Sequence, residues 1–340
     1  MHGSWNDIQG GSRIIMYEWI HQIYLRMKPW IPNRLIKHIK DIVFHVRLFL
    51  YNREVERRKK YSVFDYKQLA EDMPLITREF GHNAFYGLAD IIKSAIHLPH
   101  DKPFDGVIEH GLYIPQDDIP EMLDKKNEIY VVGRVRQEFL QRTFPEKKIH
   151  SIGPYIQYVD SFHSETWIQS QKKKLGKTLV VFPSHSTHYF IMDFDVNFLV
   201  DEIEKIRLQH EFQSVLICLY WKDILLHMDE RFSGRGYKFV TAGHIYDPYF
   251  LSRLKSIFFL ADVAMGNALG TNIGYSIACG VPYYLYSIAV GYTGDNFDEL
   301  YDTQLDLWRE AAAYFSIYQE DISPEAAAFV EKYWGEWRKK

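Results

Sequence analysis

The sequence predicts an α/β protein of two doubly wound, Rossmann-like lobes, with a cleft between them and helical segments at both ends. Three observations predict it. The chain has 340 residues, more than one ordinary core accommodates. From about residue 75, short apolar runs alternate with helical patterns, the rhythm of mostly parallel sheets. Polar loops rich in Gly, Ser, Thr, Asn and His follow several of those runs, where open α/β sheets bind their ligands.

The elements follow in order. Residues 14–30 carry an aromatic-rich helical pattern that includes Tyr17, Trp19 and Tyr24. Residues 33–60 continue with Leu35, Ile36, Ile39, Ile42, Val43, Val46 and Phe49 at helical spacing. Residues 1–62 thus read as a helical, basic amphipathic segment, and residues 63–160 as a first α/β domain. In that domain Ala84–Leu98 reads as a helix, Gly106–Glu109 and Glu128–Val132 as strands, Arg134–Phe144 as a helix and His150–Ile152 as a strand. Residues 161–290 read as a second, nucleotide-binding domain. Helices there alternate with five strands: Thr178–Phe182, Ser214–Tyr220, Tyr237–Thr241, Asp262–Met265 and Tyr283–Tyr286. Residues 291–340 read as helices that cross back to the first lobe.

Composition narrows the class. A net charge of −4 provides no global basic field, which argues against nucleic acid as a partner. Cys218 and Cys279 are the two cysteines of the chain, and both sit in apolar runs. That excludes a disulfide framework and a Cys-based zinc site, and suits a reducing, cytoplasmic setting. No apolar run reaches the roughly 18 residues of a spanning helix, and no signal-peptide pattern is present. The first dozen residues read as a tail. Residues 33–60 hold nine Lys or Arg against three Asp or Glu. Such a segment can lie on the anionic inner face of a membrane, or be a packed helix with solvated charges. The 16% aromatic content suits wide clefts or a Tyr-rich core.

Five loops at strand ends carry candidate chemistry. Gly266-Asn267-Ala268-Leu269-Gly270-Thr271-Asn272 opens a helix, so Asn267, Gly270, Thr271 and Asn272 are candidates to hold a phosphate. The alternative is tight strand–helix packing with an Asn or Thr cap. The run is neither a Walker A loop nor GxGxxG. Ser184, His185, Ser186, Thr187 and His188 follow the strand at Thr178–Phe182 and offer hydroxyls and imidazoles to phosphate or sugar oxygens. His244 and Tyr246 follow another strand and can read a base or ribose, while Asp247-Pro248 is a helix start. Lys222 can neutralise phosphate or pair with Asp223. In the first domain, Glu109-His110 places a carboxylate and an imidazole together, so either is a candidate general base. His82 and Asn83 precede a helix and form a candidate acceptor-side loop. No metal site is expected: Asp193-Phe194-Asp195 has a suggestive spacing but sits where both acids cap a helix.

Two runs carry a family resemblance. Val131-Val132-Gly133-Arg134, continuing through Glu138-Phe139-Leu140 to Ile152-Gly153-Pro154-Tyr155, resembles the end of the first domain in bacterial GT-B glycosyltransferases. Residues 261–286 resemble their strand, small-residue loop, helix, Gly-x-Pro and strand at the donor phosphate. The resemblance spans roughly residues 75–290. Within the group it is nearest to surface-polysaccharide enzymes: CMP-sugar transferases of sialyl or Kdo type and, more distantly, CDP-glycerol glycerophosphotransferases. Glu109-His110-Gly111 stands where the sialyl group has an acidic-acidic-Gly motif, so His110 replaces the central acid. Tyr220-Trp221-Lys222-Asp223 stands where that group has His-Pro, and His185 or Lys222 is then the substitute. The resemblance implies a metal-independent, inverting transfer from a nucleotide-sugar, favouring CMP-sugar, to a glycan or lipid-linked acceptor. Nucleotide-sugar epimerases or hydrolases, polyol-phosphate transferases and a non-catalytic membrane scaffold are the rivals.

Overall fold

The computed structural model describes residues 33–113, 119–187, 191–286, 290–293 and 300–337. The 14–30 stretch and His188 lie outside these residues. The chain divides into two compact units, Met1–Asn52 and Arg53–Lys340.

Helix α1 is Asn33–Arg58. Leu35, Ile42, Val43, Val46, Phe49 and Leu50 are exposed on it and share one face, being three, four or seven residues apart. Among the described residues, no helix is long and apolar enough to cross a membrane. The basic last turn of α1 holds Arg58, fully buried, which donates to the carbonyls of Leu69 and Glu71 at 2.6 Å each. The short α2, Tyr66–Ala70, follows.

The helix expected over Ala84–Leu98 is broken. A 3-10 turn covers Gly81–Gly87, and α3 runs only over Leu88–Ala95. The cause is local: Tyr86 and Gly87 both have positive φ, 57° and 73°. A Cβ at residue 87 would lie 2.8 Å from the Pro248 carbonyl oxygen, so glycine is required there on both counts. Beyond α3, strands β1 (Val107–Ile108), β2 (Glu128–Val131) and β3 (Lys148–Ser151) form a parallel sheet in that order. Helix α4, Arg134–Thr143, makes the crossover from β2 to β3. Asn83 is fully buried and ties the turn to the sheet. Its amide donates to the Gly106 carbonyl at 2.9 Å, and its oxygen accepts from Ile108 N–H at 2.8 Å.

Helix α5, Glu165–Leu175, starts at Ser164, whose side chain accepts from Trp167 N–H, and stops at Gly176, where φ is 67°. The second sheet then begins. Its strands are β4 (Thr178–Phe182), β6 (Ser214–Cys218), β7 (Lys238–Val240), β8 (Val263–Gly266) and β9 (Tyr283–Leu285). All pair in parallel, in the order β7-β6-β4-β8-β9. The topology reverses between β4 and β8, the arrangement of a doubly wound fold. Strands β4 and β8 are buried along their whole lengths, as a sheet covered on both faces demands. One strand pair went unread in the sequence: β5 (Ile191–Phe194) runs antiparallel to β10 (Val290–Thr293).

The connecting helices are α6 (Val196–Gln209), α7 (Trp221–Leu225), α8 (Met228–Arg231), α9 (Phe250–Leu260) and α10 (Thr271–Ala278). Asp247 sits before α9 and accepts from Tyr249 N–H at 2.9 Å. It also pairs with Arg253 at 2.8 Å, both side chains being fully buried. The tail forms α11 (Leu300–Phe315) and α12 (Pro324–Trp334). Trp334 is fully buried against Gly274 of α10, where a Cβ would lie 2.1 Å from its ring. A Cβ on Gly133, after β2, would lie 1.8 Å from the Tyr333 carbonyl oxygen. The end of α12 therefore touches elements of both sheets.

Candidate functional site

A cavity of about 320 Å³ opens at the topological switch point of the second sheet. Pro183, Ser184 and His185 line it after β4, and Ala268–Asn272 line it after β8. His110, Gly111 and Leu112, which follow β1 of the other sheet, close the opposite side. The two loops touch: Leu112 N–H donates to Thr271 Oγ1 at 3.2 Å. A Cβ on Gly111 would lie 2.8 Å from that oxygen, so a larger residue would force the loops apart.

The elements on the second-sheet side of the cavity are small and uncapped. Helix α10 begins after Gly270 with no side-chain cap, so its first N–H groups are left to a ligand or solvent. Ser184 is 4% exposed, and its Oγ is buried without a partner. Asn267 is 1% exposed and accepts from Ser184 N–H at 2.7 Å, while its own Nδ2 has no partner. Unpaired buried polar atoms cost free energy unless something meets them. Of these two residues Ser184 lines the cavity, as do the first residues of α10, and Asn267 does not.

The residues of Glu109-His110 separate in role. Glu109 is buried and accepts from Arg136 through Nη2 at 2.6 Å and Nε at 3.1 Å. It does not line the cavity. Its carbonyl is also engaged, accepting from the Tyr155 hydroxyl. His110 does line the cavity, and its Nδ1 is buried without a partner. Burial, with a smaller contribution from the His82 and His185 imidazoles, lowers its pKa to about 3. The imidazole is thus neutral near pH 7. His82 meets it edge-on at 4.7 Å between ring centroids and stacks on Phe85 at 4.8 Å, but does not line the cavity.

Other candidates lie away from the cavity. Asn83 serves the first sheet, as described. Ser186 is buried: its N–H donates to Asp223 at 3.0 Å and its Oγ accepts from Met192 N–H. Thr187 is outside the lining. Lys222 packs over the Trp221 ring at 5.9 Å, and Asp223 is buried rather than paired with it on the surface. His244 lies against Trp221 at 4.0 Å and beside Asp72 at 3.5 Å, and Tyr246 N–H donates to its Nδ1. Neither His244 nor Tyr246 lines the cavity.

The sequence reading missed the aromatic wall. Tyr86 and Tyr220 come from opposite sides of the cavity, and their hydroxyls are 3.2 Å apart. Phe250 packs on Tyr86 at 4.5 Å, and His185 packs on Tyr220 at 4.5 Å. Gly87 was the available signal, since a glycine inside a helical pattern marks a break. None of the described residues that line the cavity is Lys, Arg, Asp or Glu. Among the described residues, no three His, Cys, Asp or Glu side chains gather in a way that could hold a metal ion.

No family model and no curated protein sequence matches the chain. Among solved structures it is similar to UDP-GlcNAc 2-epimerase of Methanocaldococcus jannaschii in complex with UDP-GlcNAc and UDP, at 10% identity and a TM-score of 0.38. That match covers 72% of this chain and 70% of the other. It is also similar to UDP-GlcNAc 2-epimerase of Neisseria meningitidis bound to UDP-GlcNAc, at 9% identity, TM-score 0.36, over 73% and 67% of the two chains. A third is the wall teichoic acid polymerase TagF soaked with CDPG, at 11% identity, TM-score 0.35, over 66% of this chain and 59% of that one. Likenesses this distant leave the fold to be read from the sheets and the chemistry from the cleft. Two parallel α/β sheets whose strand ends meet across a cleft make the fold GT-B-like.

Proposed function

We propose that this protein is a metal-independent glycosyltransferase that moves a sugar from a nucleotide-activated donor, CMP-sugar favoured, to a glycan or lipid-linked acceptor. The observation that carries the reading is the cavity at the switch point, with the α10 N-terminus and Ser184 on one side and neutral His110 on the other. The donor phosphate lies at α10, where N–H groups and the helix dipole favour an anion. His110 takes the acceptor hydroxyl proton as that oxygen bonds to the anomeric carbon. The bond from that carbon to the phosphate oxygen breaks, and the nucleotide leaves with the electron pair. One displacement inverts the configuration. Donors at α10 and Ser184 meet the charge that develops on the leaving phosphate.

The favoured CMP donor rests on charge. A CMP-sugar carries one phosphate charge and a nucleoside diphosphate sugar two, and each desolvated charge needs compensation. A lining without fixed cations suits the smaller demand. We also place the protein in the cytoplasm, working on surface polysaccharide, with α1 resting on the anionic inner face of the membrane. Its exposed apolar face and basic character support this, and binding to vesicles is the readout.

Thermal stability against CMP, UMP, CDP, UDP and GDP, each with and without EDTA, tests the reading. A ligand specific to the folded state adds about 2.7 kcal/mol at a hundredfold excess over its dissociation constant. A CMP shift that survives EDTA is expected. A UDP or GDP shift instead would overturn the donor. No shift at all would leave a non-catalytic scaffold, and donor consumption without acceptor would favour an epimerase or hydrolase.

A further inference from the structure

Two tyrosines meet across the cavity, one from the side of each sheet. Tyr86 lies on the turn that Asn83 ties to β1, and Tyr220 follows β6. Both line the cavity, with their hydroxyls 3.2 Å apart. Tyr86 is held there against its backbone preference. Its φ of 57° is sparsely populated for a residue with a Cβ, and its N–H is fixed by the Ile245 carbonyl, which accepts at 2.7 Å. The next residue, Gly87, abuts Pro248 so closely that the turn has no room to relax. Backbone strain of this kind persists only where the surroundings over-determine it, and it gathers at ligand sites.

Two phenols bring two protons, and their mutual bond uses one. Among the described residues neither hydroxyl has another acceptor. The other polar neighbour of Tyr220 is Trp221, whose indole N–H only donates. One O–H is therefore left to a ligand, together with unused oxygen lone pairs. Burial raises the pKa of both phenols, so both protons stay in place at neutral pH. A carbonyl or an ionised phosphate oxygen can use only the proton. A ligand hydroxyl donates and accepts, and so matches both halves of the pair. The rings suit the same kind of ligand. Phe250 packs on Tyr86 at 4.5 Å and also lines the cavity. Aromatic faces carry partial negative charge and attract the weakly positive C–H face of a sugar or polyol.

We infer that the Tyr86–Tyr220 hydroxyl pair holds a hydroxyl of the transferred sugar or polyol, so that these two tyrosines determine which group the donor carries. This rests on the nucleotide-donor reading and adds the residues that read its cargo. Their place in the cleft fits the role. The Tyr86 ring is 6.4 Å from the His110 ring, and Tyr220 packs at 4.5 Å on His185, beside Ser184. The pair thus spans the distance from the base to the side proposed for the leaving phosphate, where the transferred group lies.

Titration calorimetry of the full chain tests this with paired probes: CMP and CMP-N-acetylneuraminate, CDP and CDP-glycerol, UDP and UDP-GlcNAc. Within a pair, the ratio of affinities isolates the sugar or polyol. In at least one pair the sugar- or polyol-bearing probe is expected to bind more tightly. In that pair, Tyr86→Phe combined with Tyr220→Phe should reduce the ratio by about three- to tenfold, the worth of a neutral hydrogen bond, and leave the bare nucleotide unchanged. Either single variant keeps one hydroxyl with its own proton, so it should keep most of the ratio. A contact that merely clamps the loops is broken as fully by each single variant as by the double one. Equal loss in all the variants, or a bare nucleotide that loses as much as its partner probe, therefore overturns the inference. A ratio unchanged in the double variant also overturns it, as do nucleotides that gain nothing from the attached group. Both of these results leave the nucleotide reading intact. Failure of every probe to bind overturns the nucleotide reading and this inference together.

Discussion

His110 and Glu109 are adjacent in sequence but face opposite surroundings. The glutamate is clamped by Arg136, and the imidazole is left facing the cleft with an unpartnered nitrogen. His110→Asn should lower turnover by about 10²- to 10⁴-fold, the usual contribution of a positioned base, with little change in melting temperature at pH 7.5. Glu109→Ala should instead cost about 3–5 kcal/mol of stability by stranding buried Arg136. A large turnover loss in a well-folded Glu109 variant, with His110→Asn active, would reverse the assignment. The low pKa of His110 also has a sign. Its folded value, about 3, lies below that of an unfolded histidine. The unfolded chain therefore binds the proton first, and stability falls as pH drops from about 6.5 towards 3. His163, lowered to about 4 chiefly by burial and secondarily by Arg253, adds to the same slope. His110→Asn should flatten part of that acid limb in thermal melts. The chemical types at this site were legible in sequence, because a strand followed by Glu-His-Gly marks a loop with titratable groups. The choice between the two was not, since it depends on Arg136, 27 residues away on another element.

At the scale of elements, α1 presents the clearest amphipathic problem. A row of exposed Ile, Val, Leu and Phe calls for an apolar contact, and Lys37, Lys40 and Arg53, exposed on the same helix, call for an anionic one. An anionic bilayer surface supplies both. Val46→Glu with Phe49→Glu should abolish co-sedimentation with vesicles containing phosphatidylglycerol, while nucleotide binding by Arg53–Lys340 remains. Equal binding to neutral vesicles would remove the charge argument, and retained binding by the double variant would remove the apolar one. Elements buried on both faces were the readable ones. Thr178–Phe182 coincides with β4, because a short run of β-branched and apolar residues, buried throughout, leaves few alternatives. The turn at Tyr86 was not readable, since a tyrosine at φ 57° is held by contacts distant in sequence. Its N–H donates to the Ile245 carbonyl, and its hydroxyl meets Tyr220. The β5–β10 pair was missed for the same reason: strands of four residues, far apart in the chain, have little local signal.

On the scale of the whole molecule, the cleft is only as well formed as the contact between the loops that face it. That contact has two supports. One is local, the Leu112 N–H to Thr271 bond at the cavity itself. The other is remote: α12 sets the Trp334 ring against Gly274 of α10 and the Tyr333 carbonyl against Gly133 after β2. Since the start of α10 also lines the cavity, Trp334 backs the element that holds the donor on the proposed reading. Trp334→Ala should cost about 3–5 kcal/mol, as for other fully buried aromatics. It should also weaken nucleotide binding beyond what the unfolded fraction accounts for, because α10 loses its backing. Gly274→Ala approaches the same contact from the other side, as a Cβ has no room against the Trp334 ring and overpacking costs about 1–3 kcal/mol. If the ring is the clasp, the combination Gly274→Ala with Trp334→Phe should recover part of both losses, since the smaller ring makes space for the added methyl. Calorimetric affinity for CMP, measured below the melting transition of every variant, separates this coupling from simple instability. Unchanged affinity in a destabilised Trp334→Ala would confine the tail to stability and leave the Leu112–Thr271 bond as the support of the cleft.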